Sequence, residues 1–169
     1  MDSSLKISCT ICARGGSKGV KNKNIRNLQN KPLIALSIEQ ALACELFSVI
    51  AVSSDSPEIL DTALKWGATH VIERPAHLAT DKAAKIPVIQ HAVIQSEKLS
   101  EKKLDICVDL DAYAPLRTTK DILGCFDLLQ KSKASNVITG TKARKSPYFN
   151  LAEQSQNSRE AAKKIKYKT

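Results

Sequence analysis

Residues 13–24, Ala13-Arg14-Gly15-Gly16-Ser17-Lys18-Gly19-Val20-Lys21-Asn22-Lys23-Asn24, set three glycines among four basic side chains without a single acid. Adjacent glycines let backbone N–H groups turn towards one anion, and Arg14, Lys18 and Lys23 add mobile positive charge. The run is neither a Walker A loop, which needs Gly-Lys-Ser/Thr, nor the Gly-x-Gly-x-x-Gly dinucleotide fingerprint. Most charge runs are solvated loops. Here the glycines, the strand before them and the absence of acid favour a triphosphate site. A second constellation is Asp109-Leu110-Asp111. Residues i and i+2 of a strand face the same way, so both carboxylates can reach one ion, and hard oxygen ligands suit Mg²⁺. Asp111 is the better ligand candidate, because Asp109 at a strand end also fits a hydrogen bond to backbone. Cys9-Thr-Ile-Cys12 has no second pair to complete a zinc site, and residues three apart on a strand point to opposite faces, so core thiols explain it. His70, His77 and His91 have neither metal spacing nor a paired nucleophile, and His77 is at most a loop residue of a cleft.

These residues need elements to hold them. Lys6–Cys12 reads as a first strand, followed by the glycine-rich loop. A helix begins at Pro32, with Leu33, Leu36, Ile38, Ala41 and Leu42 as its apolar face. Val49–Val52 is a second strand ending at Ser53-Ser54-Asp55. Ser56-Pro57 caps a helix running through Leu60, Leu64 and Trp66 to Gly67, where Trp66 packs at its end. His70–Glu73 is a third strand, Ile86–Leu99 a helix with Pro87 in its first turn, and Asp105–Leu110 a fourth strand. Thr118-Thr-Lys-Asp121 fits a capping box opening a helix through Ile122, Phe126 and Leu129, and Asn136–Thr139 a fifth strand. Such alternation predicts a parallel sheet with helices on both faces, ligands lying at the carboxyl ends of the strands near a switch in strand order. The loops that matter then begin near residues 13, 53, 74, 111 and 141. No internal repeat or low-complexity tract interrupts the pattern.

The 169 residues fit one domain with a tail, and 43% hydrophobic with 25% charged residues is a globular composition. No apolar run is long enough for a membrane span. The N-terminus has no signal-peptide pattern, and five cysteines, an odd number, predict reduced thiols and a cytoplasmic protein. The net charge of +9 is concentrated: residues 14–31 hold six basic residues and no acid, residues 151–169 carry +3, and residues 32–150 balance fourteen against fourteen. A nucleic-acid binder spreads basic residues along a face with stacking aromatics, so that partner is disfavoured and a small polyanion preferred. From residue 151 the apolar pattern fades, which predicts an α/β domain over 1–150 and an irregular basic tail over 151–169.

The loop Ile11-Cys12-Ala13-Arg14-Gly15-Gly16-Ser17-Lys18-Gly19, continued by Lys23-Asn24-Ile25, resembles the signature of the acylneuraminate cytidylyltransferases, which make CMP-sialic acids. Arg74-Pro75-Ala76-His77-Leu78-Ala79-Thr80-Asp81 is similar to that family's Arg-Pro-x-x-Leu-Ala-x-Asp, and Pro115-Leu116-Arg117 to its Pro-Leu-Arg. A weaker similarity reaches Ser146–Asn150. The resemblance implies a three-layer α/β/α sandwich of the nucleotide-diphospho-sugar transferase, Rossmann-like, class. It implies attack by the anomeric hydroxyl of an acidic nine-carbon sugar on the α-phosphate of CTP, with pyrophosphate leaving and Mg²⁺ assisting, in the service of surface glycans such as lipopolysaccharide or capsule. Carried over by position, Arg14, Ser17, Lys18 and Lys23 hold the phosphates, Ala13 and Gly15 belong to the same nucleotide-binding set, and Arg14, Lys18 and Lys23 act in catalysis. Asn24 lies near ribose and base, Arg74 and the backbone around Ala83 read cytosine, and Asp111 and Arg117 face the sugar. Phosphoryl-type transfer needs alignment and charge neutralisation, which such a loop supplies.

Two departures qualify the match. Asp111-Ala-Tyr-Ala replaces the Gln-Pro-Thr-Ser of many sialic acid enzymes, putting a negative charge where an acidic sugar is expected. This resembles the variants for legionaminic or pseudaminic acid, or a site where Mg²⁺ masks the charge. The family also continues past residue 169, with further sugar and metal residues and an extension exchanged in its homodimer, so this chain reads as C-terminally truncated. The alternatives are a CTP-binding fragment without turnover, a nucleic-acid-binding module, or a 3-deoxy-manno-octulosonate enzyme, whose motifs match less well.

Overall fold

A computed structural model describes residues 5–17 and 19–140, with the backbone of 152–153 and 166–167. The chain divides into two compact units, 1–119 and 120–169, a boundary well before the composition change at 151.

The first unit is built on strand β1 (Ile7–Cys12), nearly all of it buried. A 3-10 turn (Lys23–Ile25) leads into a hairpin of β2 (Asn27–Leu28) and β3 (Lys31–Pro32). Both loop residues, Gln29 and Asn30, have positive φ, which is the type I′ geometry that matches strand twist. Then follow α1 (Leu33–Ala43), β4 (Val49–Ser54), α2 (Pro57–Lys65), β5 (His70–Glu73), a 3-10 turn (Ala76–Leu78), α3 (Lys85–Ser100) and β6 (Ile106–Asp109). The main sheet is parallel, in the order β5-β4-β1-β6. The chain thus steps outwards from β1 twice and then returns to its other side, so strand order switches between β1 and β6. Right-handed crossovers put α1 and α2 on one face and α3 on the other, and the packing agrees: α1 and α2 touch each other, while α3 lies on β1, β4 and β5. This is the expected three-layer sandwich.

Register decides what each face presents. Ser53, Thr10 and Asp109 share a face with Val49 and Ala51. Val49, Ala51 and Ile72 pack on Ala92 of α3, with Leu104 alongside, so this is the face towards α3. It is polar at its carboxyl end. The buried residues of α1 are Ile34, Ala35, Ser37, Ile38 and Ala41; Ile38 and Ala41 were in the expected apolar face, whereas Leu33 and Leu36 are only half-buried and Leu42 is 44% exposed. In α2, Ile59 and Ala63 are buried and Leu64 faces out. Ser56 occupies the cap position of α2 without a side-chain cap bond. Gly67 is required: its φ is +99° and a Cβ would sit 2.9 Å from Leu42 Cδ1.

The second unit holds most of α4 (Thr119–Ser132). Asn136–Thr139, expected as a fifth strand, forms none. Its β-branched residues alone do not make a strand, because β-propensity is realised only against a paired neighbour. Conversely, in the polar tail β7 (Ala152–Glu153) pairs antiparallel with β8 (Lys166–Tyr167), since a backbone ladder needs no apolar side chain. The loop near 141 and the Ser146–Asn150 similarity lie outside the described residues.

Candidate active site

At the carboxyl end of the sheet, where strand order switches, lies a cavity of about 360 Å³. It is lined from β1 and its loop by Cys12, Arg14, Ser17, Lys23 and Asn24, from the loop after β5 by Arg74 and Ala83, and from the loop after β6 by Asp111 and Tyr113. Segments far apart in sequence thus meet at one place, as the order of elements predicted.

Of the loop residues, Arg14 pairs with Asp81. Lys23 is half-buried with its Nζ 4.2 Å from the centre of the Tyr113 ring, within cation–π range. Asn24 is buried; its Nδ2 donates to the Arg14 carbonyl at 2.9 Å, while its Oδ1 is buried without a partner among the described residues. Asn24 therefore pins the backbone of Arg14 and keeps one acceptor unused. Gly15 answers a close approach, since a Cβ there would stand 3.0 Å from Ser56 Cβ. The expectation that this loop's amides converge on an anion meets a different arrangement. Gly15 N–H donates to Asp55 Oδ1 and Ser17 N–H to the Gly15 carbonyl, both at 2.9 Å. Positive charge at the cavity comes from side chains instead. Ala13 is buried, its N–H donating to the Ser53 carbonyl, so it spaces the loop rather than lining the cavity. Lys18 lies outside the described residues.

Arg74 is a buried guanidinium. Nε donates to Ser53 Oγ at 3.2 Å and Nη2 to the Ser53 carbonyl at 2.6 Å, and burial pulls its pKa below the usual arginine value. The Ala83 N–H donates to the Thr80 carbonyl at 3.2 Å. Cys12 lines the cavity as a thiol pushed up to about 12, by burial first and then by Asp109. It is a neutral wall, and all five cysteines are free.

Lys85, absent from the sequence reading, stands between the acids. Its Nζ is 2.7 Å from Asp109 Oδ2 and also bonds Asp111 Oδ1. Burial lowers its pKa, but the two carboxylates more than reverse this and leave it above the ordinary lysine value. The Asp109–Asp111 pair does converge on one point, the Lys85 ammonium, although β6 ends at Asp109 and Asp111 reaches it from the loop beyond, not by strand spacing. Asp109 Oδ1 accepts from Thr10 Oγ1 at 3.0 Å, a side chain rather than the backbone partner considered. Arg117 is turned away from the cavity towards α1. Its Nη2 donates to Ser37 Oγ at 3.1 Å and Gln40 Oε1 at 3.0 Å, Ser37 Oγ donates to the Asp111 carbonyl at 3.0 Å, and burial lowers the guanidinium pKa. Through this chain of contacts Arg117 positions Asp111.

A polyanion-sized cavity at a topological switch, lined by Arg14 and Lys23 after β1, Arg74 after β5 and Lys85 at the start of α3, suits a nucleotide. Residues 8–169 match a family model described as Cytidylyltransferase. The chain belongs to the cytidylyltransferase family. Among curated cytidylyltransferases and other relatives, it is 51% identical over 148 residues to post-translational flagellin modification protein B of Campylobacter coli, covering 88% of this chain and 63% of that one. It is 46% identical over 152 residues to CMP-N,N'-diacetyllegionaminic acid synthase of Campylobacter jejuni, covering 90% and 65%. It is 36% identical to N-acylneuraminate cytidylyltransferase of Escherichia coli, covering 83% and 32%. The chain thus spans less than two-thirds of the length of these relatives. The solved structure of a CMP:2-keto-3-deoxy-manno-octonic acid synthetase complexed with CTP shares the fold at TM-score 0.61 and 20% identity, covering 76% of this chain and 49% of that one. A cytidylyltransferase from Leptospira borgpetersenii does so at 0.58 and 20%, covering 77% and 51%. No helix among the described residues is long and apolar enough to cross a membrane.

Proposed function

We propose that this cytidylyltransferase-family chain binds CTP in the cavity at the β1–β6 switch and transfers CMP to a sialic-acid-like nonulosonic acid, releasing pyrophosphate. The observation that carries the reading is the meeting of Arg14, Lys23, Arg74 and Lys85 in one cavity at the switch point. Arg14 and Lys23 neutralise the triphosphate, exchanging Asp81 and the Tyr113 ring for phosphate oxygens. Arg74, held by Ser53, presents a fixed donor edge where the base enters, and Asn24 Oδ1 offers an acceptor. Asp111 and Tyr113 form the opposite wall, where the sugar approaches. Relatives named for legionaminic, pseudaminic and N-acylneuraminic acids support an acidic nine-carbon sugar. Mg²⁺ suits Asp111 and Asp109, whose oxygens already converge on one positive centre, and would add charge neutralisation at the triphosphate.

The test combines calorimetry of CTP binding with pyrophosphate release from CTP and Mg²⁺ over a panel of nonulosonic acids. Binding with turnover of one sugar supports the proposal and names the substrate. Binding without turnover leaves the alternative of a nucleotide-binding fragment, and no binding refutes the assignment of the cavity.

A further inference from the structure

The first turn of α3 carries a charge that its own helix disfavours. Lys85 is the first of sixteen helical residues, in a turn that contains no acid, so its ammonium lies at the positive end of the helix dipole. Helix stability would place an acid there. A local choice that conflicts with its element points to a role beyond that element. The compensation comes from β6 and the loop after it. Asp109 Oδ2 is 2.7 Å from Lys85 Nζ, Asp111 Oδ1 bonds the same nitrogen, and Thr10 holds the other oxygen of Asp109. Two carboxylates aimed at one point repel unless a cation stands between them.

We propose that Lys85 is the resident cation of the Asp109–Asp111 pair: its ammonium keeps the two carboxylates together in the ligand-free protein and excludes divalent ions until an incoming polyanion draws it away. Only the last clause rests on the nucleotide reading of the cavity. The Lys85 side chain is 49% exposed and lines that cavity, and its flexible four-carbon stem allows the head to leave the carboxylates for a phosphate. The ammonium and a divalent ion would use the same carboxylate oxygens, so the pair holds one or the other. The negative charge of Asp111, which stands where an acidic substrate is expected, is thereby masked by the chain itself.

The experiment measures Mn²⁺ binding by electron paramagnetic resonance of the free ion, without nucleotide, on the full chain. The native protein and Lys85→Arg, which keeps the charge, bind weakly. Lys85→Met and Lys85→Gln bind at least about tenfold more tightly, the least effect expected from removing a like charge at contact distance. Adding Asp109→Asn to Lys85→Met abolishes the gain. Equal Mn²⁺ affinity for native and both neutral variants overturns the proposal, as does a gain that survives Asp109→Asn. Calorimetry with CTP on the same samples separates the two readings, because absent CTP binding counts against the nucleotide site and leaves the Mn²⁺ contrast standing.

Discussion

Lys23→Met separates a binding role from a structural one. The only ring contact of Lys23 among the described residues is with Tyr113, at 4.2 Å, and a partly exposed cation–π pair contributes about 0.5–1 kcal/mol. The methionine stem keeps much of the packing, so the thermal midpoint should fall by no more than about 2–4 °C. Against a triphosphate the same ammonium makes charge-assisted hydrogen bonds, each about 1.5–3 kcal/mol. CTP should therefore bind roughly 10–100-fold more weakly to the variant. Calorimetry and thermal melts on one preparation read both quantities. Tyr113→Ala is the control: it removes the ring contact and leaves the charge, so it should match the stability loss while CTP affinity changes little. A variant Lys23→Met that binds CTP like the native chain, or that loses stability in proportion to affinity, would refute the reasoning.

Three further outcomes follow from the geometry. Arg74→Ala should lower stability by about 2 kcal/mol in urea unfolding, because Ser53 loses two charge-assisted bonds beneath the cavity. Arg117→Met should leave CTP affinity unchanged but speed amide exchange over residues 110–117, since Ser37 and Gln40 lose the guanidinium that braces this loop. The Cys12 thiol, raised to about 12 by burial, stays protonated in the folded chain while the unfolded thiol ionises near its ordinary value of about 8.5. The associated stability is thus complete below about pH 8.5 and declines as pH rises towards 12, by up to about 1.4 kcal/mol per unit. Urea unfolding at pH 8 and 10 should show a smaller decline for Cys12→Ala than for the native chain.

What the sequence made legible was the order of the chain, and what it hid was lateral. β1, β4, β5 and β6 lie within one or two residues of the segments expected from β-branched runs and their flanking turns. Alternation predicted a parallel sheet and put the cavity at the carboxyl ends of its strands, whereas the order β5-β4-β1-β6 came only from the structure. The buried stripe of α1 was only partly legible: Ile38 and Ala41 were expected in it, but Leu33, Leu36 and Leu42 outrank Ala35 in hydrophobicity, whereas close packing on the sheet selects small residues. The β2–β3 hairpin was missed because Gln29-Asn30 lacks the glycine that usually marks a type I′ turn. Lys85 was lost to a single residue of helix boundary: a helix begun at Ile86 leaves it in a loop, and a lysine in a loop reads as solvated. The signal that could have found it was the unmasked Asp109–Asp111 pair, which demanded a cation from elsewhere. The position of Arg117 could not be read at all, because its partners Ser37 and Gln40 lie about eighty residues away in sequence.

Three cations of the cavity share one arrangement. Arg14 is held by Asp81, Lys23 by the Tyr113 ring, and Lys85 by Asp109 and Asp111. Unpaired, these groups would repel one another across a small cavity and destabilise the loops that carry them. Paired, they keep the ligand-free site close to neutral. Binding is then an exchange of partners rather than a capture by bare charge, so affinity depends on a ligand that can replace several partners at once. A single phosphate displaces one and leaves the others in place. On the proposed nucleotide reading, a triphosphate reaching from the segment after β1 to the first turn of α3 would displace them together, and its attraction should fall steeply with salt only to the extent that it outnumbers the carboxylates it releases. Selectivity for a nucleoside triphosphate over monophosphates can thus arise from the spacing of the parked cations before any contact to the base is made.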